Sequence, residues 1–148
     1  MNPVVKDKIK KIVGSNNYFD SHEDLLSYSY DGTPIYQKLP EAVVFPLDEE
    51  QISKIVKLAN QEKFNIVPRG AGTGLSGGSI PVENSIVIVL TRWNKILEID
   101  IKNLTATVQP GVVTALLQKE VEKLGLFYPP DPGSQNVCTI GGNVANNA

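Results

Sequence analysis

The segment from Pro68 to Ser79 has the composition of a loop that binds a phosphate through its main chain. Its sequence, PRGAGTGLSGGS, contains five glycines. Glycine accepts positive φ angles and has no side chain to hold a ligand away from the backbone N–H groups. Successive N–H groups in such a turn can form a concave site for an anion. Arg69 is the only charged residue of the segment, and we expect it to meet the negative charge of the phosphate together with the loop amides.

Two common nucleotide-binding motifs do not explain this segment. Residues 72–77 match G-x-G-x-x-G, and Glu98 or Asp100 could be the acidic residue of a Rossmann fold. That fold also needs a helix that starts within the glycines, but the apolar run 85–90 follows too soon for a crossover of about 10 residues. A P-loop is excluded because no Lys-Ser or Lys-Thr pair follows the glycines. We therefore predict a nest of main-chain amides with no helix behind it, and a flexible connector is the alternative.

The hydrophobic pattern predicts the elements that position this loop. A strand over 41–46, a helix capped by Asp48 and a strand at 66–67 form a βαβ unit with two parallel strands. Helical spacing in that helix places Ile52, Ile55, Val56 and Ala59 on one face. The glycine-containing segment then leaves the carboxyl end of the second strand, the edge where ligands bind in open α/β sheets.

Other elements are predicted from periodicity and turn residues. They are a helix ending before Gly14, a short helix capped by Ser21, a strand at 85–90, a hairpin of 96–100 with 105–109, and a helix from Val113 to Leu124 that ends at Gly125. Residues 128–134 are too rich in proline for a helix or a central strand. Residues 139–148 combine glycines with small amide side chains and predict a second loop with little packing in a core. Uncharged Asn and Thr side chains suit the edge of a heterocycle, and an ordinary long loop is the alternative.

Composition excludes several classes of function. The chain has 148 residues and a net charge of −2, which fits a single domain and gives no support for nucleic-acid binding. No apolar stretch approaches the roughly 18 residues of a membrane span, and the first residues do not form a signal peptide, so we expect an intracellular protein. Cys138 is the only cysteine, so it has no internal partner for a disulfide.

Three segments, in their order and spacing, resemble the FAD-binding domain of the flavin-linked 2-hydroxy-acid dehydrogenases. They are 68–79, 129–134 (PPDPGS) and 139–143 (TIGGN). The similarity is greatest to the branch of the glycolate oxidase FAD-binding subunit and D-lactate dehydrogenase, related more widely to vanillyl-alcohol oxidase and p-cresol methylhydroxylase. It extends from about Tyr30 to the end of the chain.

The resemblance implies a fold and a division of the chain. The expected fold class is α+β, a PCMH-type FAD-binding domain whose N-terminal subdomain has a βαβ unit and a mixed sheet. Residues 1–38 would be an N-terminal helical segment and residues 39–148 the N-terminal part of the FAD-binding domain. We expect the chain to be truncated in or before the second subdomain and to lack the substrate domain.

The resemblance also assigns contacts with FAD. Those expected along the pyrophosphate are Arg69, Gly70, Ala71, Gly72, Thr73, Gly74, Gly77, Gly78 and Ser79, and Pro68 is expected to contact the cofactor beside them. Those expected along the ribityl chain and isoalloxazine are Asp131, Ser134, Thr139, Gly141, Gly142 and Asn143. No catalytic residue and no metal ligand is expected in this chain. We expect noncovalent FAD because the glycine-containing segment has no histidine, and a link through Cys138 is the alternative.

By the same resemblance, the parent protein is expected to oxidise glycolate, D-lactate or a similar small 2-hydroxy acid by hydride transfer to FAD and to pass electrons to an acceptor. A base outside this chain would remove the hydroxyl proton. The alternatives are an aldonolactone oxidase, an alkyl-glycerone-phosphate synthase, and a scaffold without cofactor. We expect the isolated chain to be inactive and the protein to be cytoplasmic, with peripheral membrane association left open for the parent. The hydroxy acid, the electron acceptor, metal dependence and the oligomeric state are left open.

Overall fold

The computed structural model of the protein describes residues 1–33 and 35–148. The helices are α1 (Pro3–Val13), α2 (His22–Leu26), α3 (Glu49–Glu62), α4 (Thr114–Glu122) and α5 (Ile140–Ala145), with a 3₁₀ turn at Ser15–Asn17. The strands are β1 (Tyr18–Phe19), β2 (Ala42–Val44), β3 (Asn65–Arg69), β4 (Ser85–Val89), β5 (Ile96–Asp100) and β6 (Thr105–Val108). No described helix has the length and apolar character needed to cross a membrane.

A mixed four-stranded sheet forms the centre of the fold, with strand order β1-β2-β4-β3. Strands β2 and β3 both run parallel to β4, which lies between them, and β1 pairs antiparallel with β2. The predicted parallel strands of the βαβ unit are therefore confirmed, although they are not neighbours. Every residue of β4 is buried. A strand that is apolar from Ile86 to Val89 fits this central place, because both faces of the sheet are covered.

Helices α1 and α3 cover one face of the sheet. Ile9 of α1 and Ile55 of α3 are fully buried in a cluster that also contains Ile86 of β4. The predicted cap of α3 is confirmed, since the Asp48 Oδ1 atom accepts from the Gln51 amide at 2.8 Å. The predicted burial of Ile55 and Ala59 is confirmed, whereas Val56 is exposed and Leu58 is buried in its place. The buried face of α3 is therefore rotated slightly from the predicted face, away from Val56 and toward Leu58.

Segment 1–38 shares this core. Val5, Ile9 and Val13 of α1 belong to the same cluster as β2, and β1 adds a strand to the same sheet. The other face of the sheet is covered by aromatic side chains, with Phe45 in edge-to-face contact with Phe19 and Tyr28. A domain boundary near residue 38 stays a prediction.

The C-terminal part of the chain has a smaller core of its own. The predicted hairpin is confirmed as the antiparallel pair β5–β6, and α4 packs Leu117 and Val121 against Val112. Gly125, which follows α4, has the predicted left-handed conformation with φ 72°. This second core places the segment after residue 126 beside the main sheet's carboxyl edge.

The prediction that residues 139–148 form a loop with little core packing is wrong. The structure has helix α5 there, and Thr139, Ile140 and Asn143 are buried. Two glycines in a helix cost about 1 kcal/mol each relative to alanine. Packing of Ile140 against the Val112 cluster and capping by Thr139 outweigh that local preference.

Candidate functional site

A cavity of about 630 Å³ lies where β3 and β4 end, at the carboxyl edge predicted for the glycine-containing segment. One wall is the glycine loop, defined here as residues 68–79, and the other is formed by residues 132–148. Of the predicted cofactor contacts, those lining the cavity are Pro68, Arg69, Gly70, Ala71, Gly72, Thr73, Gly74, Gly78, Ser79, Ser134, Thr139, Gly141, Gly142 and Asn143. Gly77 and Asp131 are not among the lining residues, and Asp131 is exposed.

After β3 ends at Arg69, the glycine loop is irregular. No helix begins within residues 70–79, which confirms that feature of the prediction and excludes a Rossmann site. Gly72 and Gly77 have φ angles of 73° and 76°. Residues with a Cβ atom adopt such angles only at a cost, so the sequence places glycine where the turn requires it.

Most main-chain amides of the glycine loop have no hydrogen-bond acceptor in the described chain. The amides of residues 70–76 donate to no described residue, whereas the Gly77 amide donates to Asp31 Oδ2 at 3.0 Å. An N–H group without an acceptor carries a free-energy cost unless water or a ligand supplies one. A run of such groups beside a cavity suits an anion with several oxygens, such as a diphosphate. The residues present therefore fit a nucleotide cofactor.

Two of the loop glycines are also required by close packing. A Cβ atom on Gly72 would lie 2.1 Å from Arg69 Nη2, and one on Gly70 would lie 2.5 Å from Thr139 Oγ1. A Cβ atom on Gly78 would have no neighbour within 4 Å. Gly70 thus allows the two walls to approach each other, and Gly72 allows the loop to lie on the Arg69 side chain.

The Arg69 side chain is buried, with 7% of its surface exposed. Its Nη1 atom donates to the Tyr30 carbonyl at 2.6 Å and to Ser79 Oγ at 3.5 Å, and the guanidinium lies 5.5 Å from the centre of the Tyr28 ring. Burial lowers the pKa of this guanidinium, and Tyr28 and Asp31 act in the opposite direction. Contact between Arg69 and a cofactor phosphate stays a prediction, since Nη1 already has protein acceptors.

The second wall is held together by buried polar contacts. Thr139 Oγ1 caps α5 by accepting from the Gly142 amide at 3.3 Å. Asn143 Nδ2 donates to Thr114 Oγ1 at 2.7 Å, and Cys138 Sγ lies 3.2 Å from the same oxygen. The side chains predicted to meet a heterocycle therefore also make contacts within the protein. Cys138 is buried and is not among the lining residues.

A contact between Ser134 and Thr73 joins the two walls. The Ser134 hydroxyl donates to Thr73 Oγ1 at 3.4 Å. Gly141 also lies close to the segment that precedes α4, because a Cβ atom there would be 2.7 Å from Pro110 Cβ. The contact between the walls thus joins residues 61 positions apart in the sequence.

Sequence reasoning missed Asp31, which lines the cavity and is buried. The pair Asp31-Gly32 is a turn signal, and the turn is present, with the Thr33 amide donating to Asp31 Oδ1 at 2.7 Å. That signal does not reveal which loop the turn faces. Other lining residues that were not predicted are Leu75, Ser76, Leu90, Pro110, Pro132, Ala145, Asn146 and Ala148. Among the described residues, no group of three or more His, Cys, Asp and Glu side chains could hold a metal ion.

A mixed sheet, an irregular glycine loop with unpaired amides and a cavity between two walls define an α+β domain that binds a nucleotide cofactor. The chain belongs to the FAD binding domain family, whose sequence model matches residues 40–148. FAD is therefore the cofactor of this domain.

Individual proteins agree with this assignment. The chain is 48% identical over 144 residues to the glycolate oxidase subunit GlcD of Bacillus subtilis, covering 97% of this chain and 31% of that protein. It is 38% identical over 146 residues to the D-2-hydroxyglutarate dehydrogenase of Stutzerimonas stutzeri, covering 99% of this chain and 32% of that protein. The chain thus spans about a third of the length of these relatives.

The fold also matches solved structures. An alkyldihydroxyacetonephosphate synthase superposes with a TM-score of 0.85 and 25% identity, covering 98% of this chain and 29% of that chain. The predicted α+β class and PCMH-type FAD-binding fold are confirmed.

Proposed function

We propose that this chain is the FAD-binding part of an oxidoreductase that oxidises a small 2-hydroxy acid. Two relatives support the substrate class, because one is named for glycolate and the other for D-2-hydroxyglutarate, and both compounds are 2-hydroxy acids. The structural observation that supports FAD binding is the run of unpaired amides at residues 70–76 along the cavity. Bound FAD would accept a hydride from the substrate.

The glycine loop would hold the diphosphate of FAD. Its amides would donate to phosphate oxygens without a side chain between them, since Gly70, Gly72 and Gly74 have no Cβ atom. Gly72 already has a positive φ angle, which helps the main chain turn around an anion. A site formed before binding loses less entropy when the ligand arrives.

The opposite wall would meet the ribityl chain and the flavin ring. Ser134, Thr139 and the glycines of α5 line the same cavity as the loop. Thr139 and Asn143 make hydrogen bonds inside the protein, so their positions are fixed independently of the cofactor. The chain would therefore orient the flavin, while the groups that act on the substrate are expected elsewhere in the parent protein.

Turnover by the parent protein tests the substrate class. Glycolate, D-lactate and D-2-hydroxyglutarate would be supplied separately, with an artificial dye as electron acceptor. We expect reduction of the dye with at least one of the three. No reduction with any of them, in a preparation that retains flavin, would contradict the proposed substrate class and leave the FAD assignment intact.

A second candidate is a lipid-synthesis enzyme of the same fold, favoured by the structural likeness to alkyldihydroxyacetonephosphate synthase. The sequence relatives favour the hydroxy-acid class, because identity to the GlcD subunit is 48% compared with 25% for the synthase. Formation of an alkyldihydroxyacetone phosphate, with no dye reduction, would favour the second candidate.

The remaining alternative is that this chain is a folded scaffold with no cofactor when isolated. FAD would contact only one part of its site in this chain, and loops that a ligand orders lose entropy on binding. The absorption spectrum of the purified chain distinguishes these cases. Flavin bands would exclude the empty scaffold, and a colourless protein that also fails to bind added FAD would support it.

A further inference from the structure

We propose that residues 30–33 act as a clasp that holds the glycine loop in the shape needed to bind FAD, with Asp31 and Arg69 as its two positioning residues. The inference rests on the proposed FAD site and adds residues that lie outside the matched family region. Segment 30–33 precedes that region, which starts at residue 40. Its hydrogen bonds with the loop join residues that are 39 to 46 positions apart in the sequence.

Hydrogen bonds to main-chain carbonyl groups of the glycine loop form the first part of the clasp. The Gly32 amide donates to the Gly74 carbonyl at 2.9 Å, and the Thr33 hydroxyl donates to the Leu75 carbonyl at 2.7 Å. A Cβ atom on Gly32 would lie 2.9 Å from both the Thr73 and the Gly74 carbonyl oxygens, so only glycine allows this approach. The clasp takes up carbonyl groups of the loop and leaves the amides of residues 70–76 available.

Asp31 forms the second part. Its two carboxylate oxygens accept from two different segments, Oδ1 from the Thr33 amide at 2.7 Å and Oδ2 from the Gly77 amide at 3.0 Å. The side chain is buried, and no described Lys or Arg forms a salt bridge with it. A carboxylate beside a diphosphate site is unfavourable for direct binding. Its position is explained if its role is to hold Gly77 at its positive φ angle.

Arg69 forms the third part, from beneath the loop. Its Nη1 atom bridges the Tyr30 carbonyl and Ser79 Oγ, which lie on the clasp and at the far end of the loop. The guanidinium also occupies the space under Gly72. A planar guanidinium with fixed donors can make these contacts together, whereas a lysine ammonium cannot reproduce their geometry.

The variant Asp31→Asn distinguishes a positioning role from direct electrostatic repulsion of the diphosphate. The two roles predict changes of opposite sign in FAD affinity. Asparagine has nearly the same shape, but only one of its two terminal groups can accept a hydrogen bond. If Asp31 merely repels the diphosphate, loss of its charge tightens FAD binding. If Asp31 holds the loop, FAD binding weakens by about tenfold, as expected for loss of a buried hydrogen bond to a charged group.

Asp100→Asn is the matched control. Asp100 also accepts from two main-chain amides, those of Lys102 and Asn103, but it lies in the β5–β6 turn and does not line the cavity. FAD affinity would be measured by quenching of flavin fluorescence on titration into the purified protein. Hydrogen–deuterium exchange of residues 70–80 would be followed without FAD.

The clasp predicts faster exchange at Gly77 and weaker FAD binding in Asp31→Asn, with neither change in Asp100→Asn. Tighter or unchanged FAD binding in Asp31→Asn would overturn it, and so would unchanged exchange. If the unmodified chain binds no FAD, the isolated chain is an empty scaffold, while the exchange measurement still tests whether Asp31 holds the loop.

Replacing Arg69 by Lys and by Met supplies the second comparison. If Arg69 acts through geometry, both variants lose FAD affinity to a similar extent, within about threefold of each other. If it acts through its charge on the diphosphate, Arg69→Lys retains most of the affinity and Arg69→Met loses it. The second result would overturn the positioning role of Arg69.

Discussion

The glycine loop and helix α5 face each other across one cavity and use glycine for different purposes. In the loop, Gly72 and Gly77 take positive φ angles and the amides of residues 70–76 have no described acceptor. In α5 the backbone is helical, and Gly141 permits close approach to Pro110. One glycine-containing wall therefore offers hydrogen-bond donors, and the other offers a closely packed surface.

The difference shows that glycine content alone does not identify a main-chain binding site. A binding loop has to leave its N–H groups unpaired, and a helix pairs most of its own. The loop keeps its shape through contacts with residues distant in sequence, since the Gly32 amide donates to the Gly74 carbonyl and Asp31 accepts from the Gly77 amide. Helix α5 keeps its position through Ile140, in the core with Val112, and through its Thr139 cap.

Among the variants that test this difference between the two walls, Gly72→Ala is expected to cause the largest loss of FAD affinity. The new Cβ atom would meet Arg69 Nη2 at 2.1 Å, and alanine disfavours the φ angle of 73°. We expect FAD affinity to fall by about 100-fold, from backbone strain and displacement of the loop together. Titration with FAD measures the effect.

In the control Gly133→Ala, where a Cβ atom has no neighbour within 4 Å, affinity should stay within about twofold of that of the unmodified protein. Equal affinities in the two variants would contradict the account of the loop.

A smaller effect is expected where the two walls meet, in Gly70→Ala. The added Cβ atom would lie 2.5 Å from Thr139 Oγ1, and it would be in ordinary contact with the Thr139 Cβ atom at 3.7 Å. We expect a loss of about tenfold in FAD affinity from separation of the walls. Combining it with Thr139→Ala removes the clashing oxygen, so the double variant should lose less affinity than the sum of the single losses. Additive losses would show that the walls are not coupled at this contact.

The smallest effect is expected from replacing Glu41, which lies outside both walls, and it concerns the free energy of unfolding. Its carboxylate accepts from the Met1 amino group at 3.0 Å and from Lys6 at 3.2 Å. The hydrogen bond from the amino group is the main cause that lowers the pKa of Glu41 below its usual value of 4.5. A lowered folded-state pKa gives stability that is present above pH 4.5 and is lost as the pH falls through the folded-state value.

Glu41→Gln should therefore lower the free energy of unfolding by about 0.5 kcal/mol at neutral pH, a small value because the pair is partly exposed. The difference from the unmodified protein should disappear in acid, when Glu41 is protonated. Urea unfolding at neutral pH and in acid measures this difference in the free energy of unfolding. FAD affinity at neutral pH should be unchanged. A difference that grows in acid would contradict the assigned pKa direction.

The sequence predicted β2, β3 and β4 of the main sheet and the irregular loop because their signals are local, whereas β1 was not predicted. The apolar run of β4 and the cap Asp48 before α3 are readable from a few neighbouring residues. The glycine loop was predicted as an irregular loop because glycine density and the early start of β4 leave no room for a helix.

Features that depend on distant contacts were not predicted. Helix α5 exists because Ile140 meets Val112 of the second core, and a window around Ile140 contains no sign of that contact. Asp31 was missed because its partner, the Gly77 amide, lies 46 residues away. The Asp31-Gly32 pair indicates a turn but not the surface on which the turn lies.

Amide chemical shifts of the isotope-labelled protein, recorded with FAD and with riboflavin, test most directly whether the glycine loop binds the diphosphate. Riboflavin has the same ring and ribityl chain but no phosphate. The account predicts that FAD shifts the amide resonances of residues 70–76 and that riboflavin leaves them unchanged. Equal shifts with both ligands, or FAD-induced shifts confined to other parts of the chain, would contradict it.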